Sequence, residues 1–116
     1  MTEAGQNLTI YQGEDLDVPV TLTDVTLVGG EAFSATFRDR ASGTVVLTLT
    51  TANPDEVTVD VPGQVIVLLT SAQTAALRGT EAGTTATHDW ALWRENDGKR
   101  VPYSLGLVTV IDTART

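Results

Sequence analysis

The chain predicts an all-β fold: an antiparallel immunoglobulin-like β-sandwich of about eight strands with one short helix over residues 70–78. Three observations carry this prediction. Short runs of alternating apolar and polar residues recur along the chain, the period expected of strands with one buried face. Gly, Pro, Asn and Asp punctuate those runs at regular intervals. One segment alone, Thr70–Arg78, breaks the period of two.

The longest alternating stretch is Thr87–Ile111, read as one long β-hairpin. It holds both tryptophans and the only histidine. Asp97-Gly98 is its turn, because Gly accepts positive φ freely and Asp tolerates it. Two registers fit. A two-residue primed turn sets Glu95 opposite Arg100, Leu92 opposite Tyr103 and Trp90 opposite Leu105. A type I turn with a bulge sets Trp93 opposite Val101 and Ala91 opposite Tyr103. The first is preferred because it gathers the large apolar side chains on one face. Val101, Tyr103, Leu105 and Leu107 then form one face of the returning strand. Pro102 cannot donate to a ladder and belongs at an edge, a strand end or a bulge.

The earlier elements follow in order. Leu8–Tyr11 is a short strand ended by Gln12-Gly13. Leu16–Leu22 alternates, with Pro19 marking an edge or a bulge. Thr26–Val28 reads as a strand end before the loose turn Gly29-Gly30. Phe33, Ala35 and Phe37 form one face of the next strand, and Asp39–Gly43 is a hairpin loop. Val45–Thr50 returns to the turn Ala52–Asp55. Val57, Val59 and Val61 make another strand, closed by Pro62-Gly63. Val65–Leu69 is apolar on both faces and belongs inside a sheet. Thr70 and Gln73 form a capping-box pattern at the start of the helix. Ala72, Ala75 and Ala76 give it a flat apolar face. Gly79 stands where a left-handed C-terminal residue is wanted, and Arg78 complements the helix dipole. Residues 81–86 are a polar connector.

The 116 residues form a single domain, 1–116, with flexible ends expected at 1–6 and 112–116. With no cysteine there is neither a disulfide framework nor a thiolate metal site. Fifteen acidic against seven basic residues give a net charge of −8, which disfavours nucleic acid and anionic membranes as partners. No run is long enough to span a membrane, and Met1–Ala4 does not begin a signal peptide. Folding in a reducing cytosol is expected.

No catalytic chemistry is expected. His88 and Asp89 are strand neighbours and point to opposite faces. No nucleophile elbow or cysteine accompanies them. One imidazole without thiolates does not make a zinc site. Asp15, Asp17 and Asp24 are weak calcium candidates, but they lack the dense spacing of a dedicated loop and read better as a solvated acidic edge. No cofactor and no small-molecule substrate are expected. Trp90 and Trp93 fall on opposite strand faces, so one is core. Candidate interaction residues sit at hairpin ends and in the tail, where a rigid sandwich presents binding groups. They are Asp39 and Arg40 in one loop, Trp93, Glu95, Asp97, Lys99 and Arg100 around the long hairpin's tip, and Arg115 in the tail.

The order of motifs carries a resemblance. Gln12–Leu16 runs into an alternating strand, and a Phe37-Arg38 strand follows. Gly63–Thr70 leads into Ser71–Leu77. Then come His88-Asp89-Trp90, the Asp-Gly hairpin and Gly106–Val110. This resembles the N-terminal β-sandwich domain of phage baseplate upper proteins and related small tail-module proteins, over about Leu8–Thr113. The family often has tyrosine where this chain has His88. The resemblance implies a non-enzymatic virion structural role, as a tail or baseplate accessory or fibre-anchoring module. It implies other virion proteins as partners and a homo-oligomer, commonly a trimer. A capsid decoration or head-fibre anchoring protein of the same fold is the alternative. From another class, a carbohydrate- or cell-surface-binding module would use an exposed aromatic and the acidic edge.

Overall fold

The computed structural model describes residues 6–22, 25–80, 85–96 and 98–113. The elements in chain order are β1 (Leu8–Tyr11), β2 (Leu16–Thr21), β3 (Ala32–Asp39), β4 (Val45–Thr50), β5 (Val57–Asp60), β6 (Gln64–Leu69), α1 (Ser71–Ala76), β7 (His88–Asn96) and β8 (Lys99–Ile111). They form an all-β sandwich. A five-stranded sheet, ordered β1-β8-β7-β3-β4, faces a three-stranded sheet, ordered β2-β6-β5.

The core lies between the inward faces. Phe33, Ala35 and Phe37 on β3, Trp90 and Leu92 on β7, and Val108 and Val110 on β8 pack against Val18, Val20, Val57, Val65 and Val67. Phe37 stacks on Trp90, its direct neighbour across the β3–β7 ladder, with ring centroids 6.0 Å apart. Phe33 meets Tyr103 edge to face at 5.8 Å. Burying each such side chain contributes roughly 1.5–3 kcal/mol. β6 is the central strand of its sheet, as its apolar run predicts, and Pro19 lies on the edge strand β2, where its missing N–H costs nothing.

The expectation of a wholly antiparallel sandwich is corrected at one place. β1 pairs parallel with β8, Leu8 opposite Val108 and Tyr11 opposite Ile111. A parallel pair needs a long crossover, and here almost the whole chain lies between the two strands.

Residues 25–28 form no strand. Leu27 is instead a loop anchor, buried at 2% exposure, with its N–H donating to the Pro62 carbonyl at 2.6 Å.

The helix keeps its predicted start and loses its predicted end. Thr70 caps it and both arms of the capping box form. Leu77, in extended conformation, is the C-cap, so Gly79 takes no left-handed role there. A β-carbon on Gly79 would lie 2.8 Å from Gln12 Cδ and 3.0 Å from the Asp112 nitrogen, so the glycine serves close approach. Ala72, Ala75 and Ala76 are exposed, and the helix is held by Thr74 and Leu77. The Thr74 hydroxyl donates to the Glu14 carbonyl at 2.7 Å and accepts from the Gly13 N–H at 3.1 Å. A buried Thr with both capacities used fixes the helix to the β1–β2 turn better than a flat alanine face would. The expected flexible ends lie largely outside the described residues.

Candidate functional site

The long hairpin decides what the outer surface looks like. Near its tip the preferred register holds: Asn96 pairs with Lys99, Glu95 with Arg100 and Trp93 with Pro102. The register then shifts between Trp93 and Leu92, so that Leu92 faces Ser104, Ala91 faces Leu105 and Trp90 faces Gly106. Tyr103 is the extra residue on β8, a bulge immediately after the proline that cannot donate to the ladder. The predicted pairs Leu92–Tyr103 and Trp90–Leu105 therefore do not form, and neither do those of the alternative register.

A one-residue slip turns every following side chain to the other face. Leu105 and Leu107 leave the core side and stand 46% and 43% exposed, while Val108 and Val110 are buried. With Ala91, Trp93 and Val45 they line a groove of about 630 Å³ on the outer face of the five-stranded sheet.

One end of the groove is basic. Asp89 accepts from Arg40 at 2.9 Å and from Arg38 at 3.3 Å, two guanidinium groups on one carboxylate. The other end is Trp93. Its indole N–H donates to the Thr36 hydroxyl at 3.0 Å, and the Arg100 guanidinium lies 4.5 Å from the ring centroid. Arg100 also approaches Glu95 at 3.6 Å. Four residues of extended strand separate Asp89 from Trp93, about 13 Å.

The sequence-predicted interaction residues thus divide between opposite ends of the sheet. Asp39 and Arg40 lie at the His88 end, because Asp39 pairs with His88 across β3–β7. Trp93, Glu95, Lys99 and Arg100 lie at or near the tip. Asp39 is spent internally: Arg78 grips it through Nε and Nη2, both at 3.1 Å, and this holds its carboxyl down to about 2. Arg78 therefore serves the β3–β4 loop, not the helix dipole. Asp97 and Arg115 lie outside the described residues. Sequence reading missed Leu105, Leu107 and Arg38 because it assigned the leucines to the core.

A second cleft, about 590 Å³, opens at the tip end between the two sheets, with Ser34, Thr50, Thr51, Thr58 and Glu95 among its polar lining.

The catalytic and metal readings gain nothing from the geometry. His88 and Thr87 are 1% and 3% exposed, with Nδ1 2.7 Å from Oγ1, so a substrate cannot reach either group. Burial pushes the His88 pKa below the ordinary imidazole value. His88 is therefore a core residue. Asp89 points to the opposite face, as strand alternation requires.

Among the described residues no three potential ligands gather around a metal position. Asp15 accepts from the Ser71 N–H at the start of α1, at 2.7 Å. Asp17 is exposed on the edge strand, and Asp24 lies outside the described residues. No helix among the described residues is long and apolar enough to cross a membrane. Neither a protein-family model nor a curated protein matches the chain.

Proposed function

We propose that this chain is a non-enzymatic structural module of a bacteriophage virion, a tail or baseplate accessory or fibre-anchoring part. It docks other virion proteins on the outer face of its five-stranded sheet. The observation that supports this reading is the bulge-made groove. Leu105 and Leu107 are surplus to the core, and they stand beside Trp93 and two arginines that share one carboxylate. Apolar residues with an aromatic and an arginine at the rim are what a protein partner uses as an anchor. The motif resemblance supplies the virion context. In this reading the chain folds in the host cytoplasm, assembles into the particle and self-associates. Nucleic acid, membrane and small substrates are not its partners.

The carbohydrate-binding alternative has less support. A sugar-stacking tryptophan needs an open ring face, and Arg100 lies over Trp93.

Gold-labelled antibody against the chain, applied to native particles, tests the reading. Label at the tail tip supports the baseplate role. Label over the head moves the same fold to capsid decoration. Particles without label overturn the virion role and bring the surface-binding module forward.

A further inference from the structure

An antiparallel sheet with one face in water alternates apolar and polar residues. β6, the central strand of the three-stranded sheet, does not. Val65, Val67 and Leu69 are buried, while Ile66 and Leu68 lie on the other face, half-buried and outside the core cluster. Pro19, opposite Ile66, extends that apolar strip onto the edge strand and is exposed. Two carboxylates flank the strip. Asp17 stands opposite Leu68 and Asp60 opposite Gln64, both exposed and both on the outer face. Neither has a hydrogen-bond or ion-pair partner among the described residues. β2, β5 and β6 carry none of the chain's seven basic residues.

The groove on the five-stranded sheet has the opposite character. Its centre is Ala91, Leu105 and Leu107. Arg38 and Arg40 stand at one end and Arg100 at the other, three guanidinium groups beside the two carboxylates of Asp89 and Glu95.

We propose that the outer face of the three-stranded sheet of one copy seats on the groove of the next copy, head to tail. The proposal rests on the reading of the groove as a docking face and names its occupant. Charge and spacing select a second copy. Leu68 and Gln64, which place Asp17 and Asp60, are four residues apart on β6, about 13 Å. Asp89 and Trp93, which place the groove's guanidinium groups, are four residues apart on β7. Two carboxylates without cations thus match, over one span, arginines that outnumber their own acids, and apolar residues lie between in both faces. The widths fit as well. Three strands are about 10 Å across and five about 19 Å, so the narrow sheet lies within the wide one. Groove on groove would oppose arginines, and acidic face on acidic face would oppose carboxylates, so neither two-fold contact competes.

Such a contact is heterologous. Association continues past two copies, into a ring or an open stack. In a stack the end copy keeps its groove for a different virion protein.

Sedimentation of the whole chain over a range of concentration tests this with two variants. Leu105→Asp puts a carboxylate in the groove, and Leu68→Lys puts a cation on the acidic face. Each raises the dissociation constant about tenfold or more, since like charges then meet across the contact. Mixed in equal amounts, the two form a dimer that grows no further, because each supplies the face the other has lost. Arg100→Glu and Asp17→Lys, at exposed side chains, repeat the experiment without touching an apolar residue. A monomer at every concentration, an unmodified chain that stops at two copies, a single variant that associates like the unmodified chain, or a mixture that stays monomeric overturns the proposal. Particle labelling is read separately, so a monomeric chain found at the tail tip overturns this occupant and leaves the virion reading in place.

Discussion

Trp90 and Gly106 face each other across the β7–β8 ladder, and the indole N–H of Trp90 donates at 2.7 Å to the Gln6 carbonyl over the glycine. A β-carbon at Gly106 would lie 2.0 Å from that carbonyl oxygen and 2.9 Å from the indole nitrogen. The N-terminal segment is thus threaded across the glycine and fastened by the core tryptophan. Gly106→Ala forces backbone to move and breaks a part-buried hydrogen bond. A loss of about 2–4 kcal/mol is expected. Gly63→Ala is the control: its nearest neighbour, the Leu22 carbonyl oxygen, is 3.5 Å away, an ordinary contact. That change stays within about 0.5 kcal/mol. Urea unfolding of both variants measures the difference. Equal midpoints would show that residue 6 is not held in this way.

Ser104 sits beside Leu92 with no exposure, and its hydroxyl has no hydrogen-bond partner among the described residues. The bulge places it there: the extra residue buries Tyr103 and Ser104 in succession. A buried hydroxyl without a partner loses its hydration for nothing. Ser104→Ala is expected to stabilise the chain by about 0.5–1.5 kcal/mol. A lower denaturation midpoint for this variant would mean that the hydroxyl is satisfied in the folded protein.

The same bulge marks where the sequence stopped being legible. Alternation located the strands to within a residue or two, because a half-buried strand writes its period directly into the chain. The Thr70/Gln73 capping box was equally readable, being local. Register beyond Pro102 was not. Two apolar sets of opposite parity, Leu105 with Leu107 and Val108 with Val110, follow one another on β8. Local pattern alone does not say which set is core. The signal that decides it is Gly106, since Trp90 needs a residue without a β-carbon opposite it. The parallel β1–β8 pair was out of reach for a different reason: it joins the two ends of the chain, and neither strand carries a mark of its partner. The groove was missed with the register, since its leucines were counted as core.

Stability on the acid side follows from two groups. Asp39 is ionised in the folded and unfolded chain at neutral pH, so its pair with Arg78 contributes fully there. As pH falls below the ordinary value of 3.8, the unfolded chain takes up the proton first. Stability then declines until folded Asp39 itself protonates at about 2. His88 acts earlier with the same sign. Burial holds its folded pKa below 6.5, so the unfolded imidazole charges first and stability falls as pH drops through that value. Arg78→Ala should move the Asp39 carboxyl titration, followed by NMR, up toward 3.8. His88→Gln should flatten the change in melting temperature between about pH 7 and 5. A slope unaltered by that substitution would assign the acid sensitivity to other groups.

The docking face makes a demand on the monomer that can be measured without any partner. Leu105 and Leu107 are 46% and 43% exposed, whereas Leu92, on the inner side of the neighbouring strand, is not exposed at all. Three leucines of one hairpin therefore belong to two energetic classes. Leu92→Ala removes core packing and leaves a cavity, at a cost of about 2–5 kcal/mol. Leu105→Lys and Leu107→Lys alter only the outer face and should each stay within about 0.5 kcal/mol. Under the register that sequence alone prefers, Leu105 would face Trp90 from inside the core and its lysine variant would barely fold. Calorimetry of the three variants thus tests the bulge and the groove together. A Leu105→Lys variant as unstable as Leu92→Ala would return both leucines to the core and remove the surface on which the assembly reading depends.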